Sequence, residues 1–236
     1  MALVSVHPYS FMFHRDTFWG AATSGDVPLY LLNSMFAIAA PLSFHPALQP
    51  MSASSGGQRH RSMWKASNRF ADAALSQLFG RNTNCEIDLM RFRDQELPVA
   101  QSLLCLSYWD ANTRRRDGSP PLPWFSQAVQ ILGGLTPPRW NPTDTRTAKA
   151  TSSAASYQNA RTGWIDEECL RRTLWVPHFL TSISSATSLA PRRWEESERL
   201  MPVPMDDAVF DLPANVRVPP GTLLLHLVLI RPPSLP

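Results

Sequence analysis

Trp164 to Ile183 reads WIDEECLRRTLWVPHFLTSI: an acidic start, two adjacent arginines, then a long apolar run. The pattern predicts a helix whose first turn holds Asp166, Glu167 and Glu168, where unpaired backbone N–H groups favour negative charge. Glu167 stands four residues before Arg171 and Glu168 four before Arg172. At that spacing opposite charges meet on one helix face, each exposed pair contributing about 0.2–0.5 kcal/mol. Ile165, Cys169, Val176, Leu180 and Ile183 form one apolar stripe, and Leu170 with Leu174 a second, so neighbours should cover the helix on at least two sides. Arg172 shares the face of Ile165 and Cys169 and is expected to be partly buried and paired with an acid. Pro177 removes the bond to the Thr173 carbonyl and predicts a kink.

The rest of the chain supports a helical reading. Among 236 residues, 44% are apolar, enough for a sizeable core, and 22 prolines against 10 glycines favour helices separated by proline-bearing connections. Pro28 opens a predicted helix through LYLLNSMFAIAA, with Asp26 as its cap, Leu29, Leu32, Phe36 and Ala39 or Ala40 on one face, and Pro41 as its end. Gln49 to Gly57 reads as an exposed connection. From His60 to Gly80, Trp64, Ala71, Ala74, Leu75 and Leu78 recur at helical spacing, with Gly80 as a stop. Leu97 to Asn112 repeats a stripe of Ala100, Leu103, Leu104, Ser107 and Ala111, and Pro121 to Leu135 one of Trp124, Ala128, Ile131 and Leu135. Thr136 to Gly163 is polar and proline-bearing and reads as a flexible insertion. The fold class expected is all-α: a multi-helix array with proline-rich connections.

Chemistry-bearing patterns are scarce. No G-x-S-x-G, G-x-G-x-x-G or phosphate-binding P-loop occurs, so the usual presentations of a nucleophile or a nucleotide are missing. His7, His14, His45, His60, His178 and His226 form no metal-ligand pair and read as surface or core imidazoles. Cys85, Cys105 and Cys169 are widely spaced and odd in number, which suits buried thiols in a reducing compartment. A net charge of +3 decides no partner. Arg114 to Arg116 read as a solvated helix end, and Trp64, Trp109, Trp124 and Trp175 as core residues in preference to base-stacking platforms. The longest late apolar run, Leu223 to Ile230, is far shorter than the roughly 20 residues a membrane helix needs.

With these residues laid out, WIDEECLRRTLWVPHFL, then SSATSLAPRRW, then MPVPMDDAVFDL resemble the regulatory (middle homology) region of fungal zinc binuclear-cluster transcription factors, the fungal-specific transcription factor domain. Glu167, Glu168, Arg171, Arg172, Leu174 and Trp175 match the first part of its pattern, and Pro204, Asp206, Asp207 and Phe210 the last. LYLLNSMFAIAAPLS, AQSLLCLSYWDANT and PLPWFSQAVQILGGL are similar to its earlier helices, so the likeness covers residues 10 to 212, with 213 to 236 a divergent or disordered tail. Pro177 stands where the family keeps an apolar helical residue.

The resemblance implies an all-helical regulator of RNA polymerase II transcription in the nucleus, and no enzyme. The signature residues are expected to be structural: Glu167, Glu168, Arg171, Arg172, Trp175, Pro204, Asp206, Asp207 and Phe210. No catalytic, cofactor or metal residue is assigned. The family's zinc belongs to a DNA-binding module with about six closely spaced cysteines, a pattern this sequence lacks, so DNA is expected to be reached only through a missing upstream module. Transcriptional machinery or co-regulators are the implied partners, together with a homodimer or a small-molecule effector, and no membrane. The competing readings are a truncated or non-functional helical remnant, and a helical small-molecule-binding protein or enzyme.

Overall fold

Every regular element among the described residues is helical. The computed structural model describes residues 11–43, 56–80, 87–114, 123–135, 163–178, 204 and 210–212. Six α-helices appear there: α1 (Arg15–Ser24), α2 (Leu29–Ala39), α3 (Gly56–Phe79), α4 (Glu96–Arg114), α5 (Trp124–Leu135) and α6 (163–178). Short 3-10 turns occupy Ala40–Leu42 and Leu89–Phe92. The all-α expectation holds.

α4 is the element around which the others pack. From Val99 to Leu106 every side chain is buried: Val99, Ala100, Leu103, Leu104 and Leu106 face apolar neighbours, and Gln101, Ser102 and Cys105 are interleaved with them. Its predicted stripe is therefore only part of a helix covered all round over two turns; at the far end Ala111 is exposed and Ser107 half-buried, where the cover stops. The polar members are satisfied locally. Ser102 Oγ donates to the Tyr30 carbonyl (3.3 Å) and Gln101 Nε2 to Thr173 Oγ1 (3.1 Å), so each buried dipole also ties α4 to a neighbour. Pro98 sits in the first turn, where a missing N–H costs nothing.

α2 packs between α3 and α4, and α5 lies against α4. The predicted face of α2 is corrected in part: Ala39 and Ala40 are buried and Leu32 half-buried, but Leu29 and Phe36 are exposed, while Tyr30, Leu31, Ser34, Met35, Ala37 and Ile38 point inward. The segment is apolar on both sides, and the side bearing the small residues Ser34 and Ala37 lets the backbone approach two neighbours closely. Ser67 Oγ of α3 reaches the Ala37 carbonyl at 2.6 Å. Pro28 is the N-cap residue rather than the first helical one; it supplies no side-chain cap, and neither does Asp26, whose carboxylate accepts from Ser24 Oγ instead. After Ala39 the helix tightens into the 3-10 turn that contains Pro41.

α3 begins at Gly56, inside the stretch expected to be a connection, and buries Ser67, Ala71, Ala74 and Leu78. It ends at Gly80, whose φ of +60° is a left-handed conformation. An alanine there meets that conformation with a Cβ penalty of about 1–2 kcal/mol. Gly80→Ala is expected to lower the unfolding free energy by that amount, seen as a lower urea midpoint with an unchanged slope; an unshifted midpoint would refute the stop. α5 runs through Gly133 and Gly134 to Leu135 and buries Trp124, Ala128, Ile131 and Leu132. α6 stays helical through Pro177, where a kink is expected, and its described part ends one residue later at His178; Leu180 and Ile183 lie outside the described residues. Of the insertion expected over 136–163, Gly163 instead opens α6, and 136–162 lie outside the described residues, as does the tail over 213–236.

Candidate functional site

α6 turns its charges inward. Its buried face carries Ile165, Glu168, Arg172, Thr173 and Val176, so the expected apolar stripe is interrupted by an ion pair. Glu168 is fully buried and Arg172 is 2% exposed, with Arg172 Nε donating to Glu168 Oε1 at 3.1 Å. Arg171 adds a bond to the other oxygen, Glu168 Oε2, an i,i+3 contact not foreseen, while also reaching Glu167 Oε1 at 3.3 Å. Glu168 thus has two guanidinium partners, one deep and one near the surface. Burying the pair is tolerable because its lone pairs and N–H groups are largely taken up.

Arg172 does more than neutralise Glu168. Its Nη1 donates to the Phe11 carbonyl at 3.4 Å, and its guanidinium lies 3.9 Å from the centre of the Phe210 ring. A desolvated cation over an aromatic face is worth about 2 kcal/mol. Phe210, 1% exposed, also meets His14 edge-on at 5.2 Å and Trp164 at 6.4 Å. His14 caps α1: Nδ1 accepts the Thr17 backbone N–H at 3.2 Å, which leaves Nε2–H to donate to the Leu212 carbonyl at 3.1 Å. Residues from the start, the α6 helix and the far end of the family-like span therefore meet in one buried cluster.

Of the signature residues, the structure brings Glu167, Glu168, Arg171, Arg172 and Phe210 together. Trp175 packs edge-on against His178 at 5.0 Å, and Pro204 is half-buried. Asp206 and Asp207 lie outside the described residues. Sequence reasoning missed His14, which it had treated only as a surface or core imidazole. The available signal was an acceptor-bearing side chain three residues before Thr17, at the edge of a helix-forming run.

The thiols fit this setting. Burial pushes Cys105 up to about 12 and Cys169 to about 11, the latter offset in part by its bond to the His14 backbone. Both are free. A folded-state value raised above the unfolded one favours folding below the unfolded pKa of about 9, and the contribution is lost as pH rises through 11 to 12. Alkylation by iodoacetamide at pH 8.5 should label Cys105 and the half-buried Cys169 far more slowly in the folded protein than in urea, read by peptide mass; equal rates for Cys169 in the two states would contradict its raised pKa. Burial likewise raises the Asp166 carboxyl.

No group of three His, Cys, Asp or Glu side chains able to hold a metal occurs among the described residues. No helix there is long and apolar enough to cross a membrane. What the geometry defines is a helical domain whose most concentrated charge is consumed by internal packing. The chain belongs to the fungal specific transcription factor domain family, whose sequence profile matches residues 4–211. It has a transcription-factor regulatory role, and the family is not an enzyme family. No curated protein and no solved structure matches the chain.

Proposed function

We propose that this chain is the regulatory portion of a fungal zinc-cluster transcription factor, acting in the nucleus on RNA polymerase II transcription. The observation that carries the reading is the family match over residues 4–211. The cluster geometry agrees with it: Arg171 and Arg172, the cations of the signature, are engaged by Glu167 and Glu168 instead of forming a phosphate-binding surface. Sequence-specific DNA contact, and the zinc that supports it, are assigned to a separate cysteine-rich module. The domain itself modulates activity through co-regulators or a small-molecule effector. A ligand or partner that prefers one packing of the helices shifts the population toward it, and no other source of control is needed.

The test is a fusion of the chain to a heterologous DNA-binding module, with a reporter carrying the cognate sites. Transcription is expected to change severalfold relative to the module alone. A folded, nuclear fusion that leaves the reporter unchanged would overturn the reading. The unfused chain should bind duplex DNA weakly and without sequence preference, its affinity falling with added salt; a gel shift selective for one sequence would move DNA recognition into this domain.

A further inference from the structure

The cluster around Arg172 joins pieces of chain that are remote in sequence, and it is built differently from the α2–α5 core. Around α4 the packing is apolar and continuous. At the junction, the linkage rests on contacts that each need a fixed geometry: Arg172 Nη1 to the Phe11 carbonyl (3.4 Å), the guanidinium over Phe210 (3.9 Å), and His14 Nε2 to the Leu212 carbonyl (3.1 Å). α1 contributes no fully buried side chain of its own, and its Phe18, Ala21 and Ala22 pack half-buried against the core. Further hold comes from Met12, Phe13 and His14, the buried residues just before it, of which Met12 and Phe13 enter the apolar core itself.

We propose that residues 11–24, the first turns of α6 and residues 210–212 form a clasp that opens as one cooperative unit, separately from the α2–α5 core. Phe210 is the shared piece. It touches the Arg172 guanidinium, the His14 ring and Trp164 at once, so its departure removes the stacking partner of the buried cation and the contact that orients His14. His14 then loses the geometry that caps α1, and the start of the domain loosens with its end. The core keeps the apolar contacts among its own helices and meets α6 through Val176, the half-buried Leu170 and Leu174, and the bond of Gln101 to Thr173. A partner that draws the 210–212 segment away would therefore release α1 at the opposite end of the sequence while α4 stays folded. This coupling holds whether or not the domain regulates transcription.

Native-state amide exchange of the full chain tests it. In rising sub-denaturing urea, amides of Phe11–Ser24 and those at 210–212 should open with the same urea dependence and well before those of Val99–Leu106. Phe210→Ala should speed exchange over Phe11–Ser24 by about tenfold or more with Val99–Leu106 unchanged. Two results would overturn the clasp: different urea dependences for the two end segments, or opening of all segments together with the core. Because the urea series uses the unaltered protein, it decides the matter even where the Phe210→Ala chain does not fold.

Discussion

Glu168→Leu should destabilise the domain by about 3–5 kcal/mol, more than Arg172→Met, although the two residues form one ion pair. The asymmetry follows from the number of partners. Without Arg172, Glu168 retains the Arg171 guanidinium on Oε2, so the buried carboxylate is still neutralised. Without Glu168, Arg171 is 13% exposed and can turn to Glu167, whereas Arg172, 2% exposed, loses the carboxylate that accepts from its Nε. Removing one charge of a deeply buried pair is what makes breaking it costly. The double variant Glu168→Leu with Arg172→Met should regain much of the loss, since apolar replacement of a buried pair is often neutral. Urea unfolding of the three variants measures this directly. If Arg172→Met proves as costly as Glu168→Leu, stacking on Phe210 rather than charge compensation dominates the cluster.

The same residues show how far a sequence reading reaches. The pairing of Glu167 with Arg171 and Glu168 with Arg172 was legible, because i,i+4 spacing fixes which helical side chains can meet. That Arg172 would be buried was legible from the face it shares with Ile165 and Cys169. What covers it was not, because Phe11, His14 and Phe210 lie up to 161 residues from Arg172 in the chain, and helical periodicity carries no information about that distance. Helix positions came out well for α3 to α5, where Gly80 and the start near Pro98 punctuate the chain. The inward face of α2 came out right only in part: Ala39 and Ala40 are buried and Leu32 packs half-buried on the core, but Leu29 and Phe36 are exposed, because a helix apolar on both sides offers the stripe of Tyr30, Leu31, Ser34 and Ile38 equally well. The weight given to Trp164 to Ile183 was also shifted by the structure. α4, with its serines and glutamine, looked less central than it is, because those polar groups find partners only once α2 and α6 are in place.

Trp124 separates packing from recognition as the reason for the chain's aromatic residues. It is 3% exposed and lies roughly parallel to both Phe79 (centroids 6.4 Å apart) and Trp109 (6.5 Å), so one indole connects α3, α4 and α5. Trp109 in turn donates Nε1–H to Ser67 Oγ at 3.1 Å. These rings are spent on one another and cannot serve as stacking platforms for bases. Truncation by Trp124→Ala should therefore cost about 3–5 kcal/mol, through lost contact and an incompletely filled cavity. Trp124→Phe should cost far less. The indole Nε1–H has no hydrogen-bond partner among the described residues, and a buried donor left unmade costs about 1–3 kcal/mol, which the phenyl ring removes while keeping one face against Phe79. The two terms oppose each other, so the expected net change is within about 1 kcal/mol of zero. Equilibrium unfolding of both variants decides it. A Trp124→Phe penalty close to that of alanine would mean that the indole N–H is satisfied in solution, whereas an Ala variant of near wild-type stability would show that the three helices are not joined through this ring.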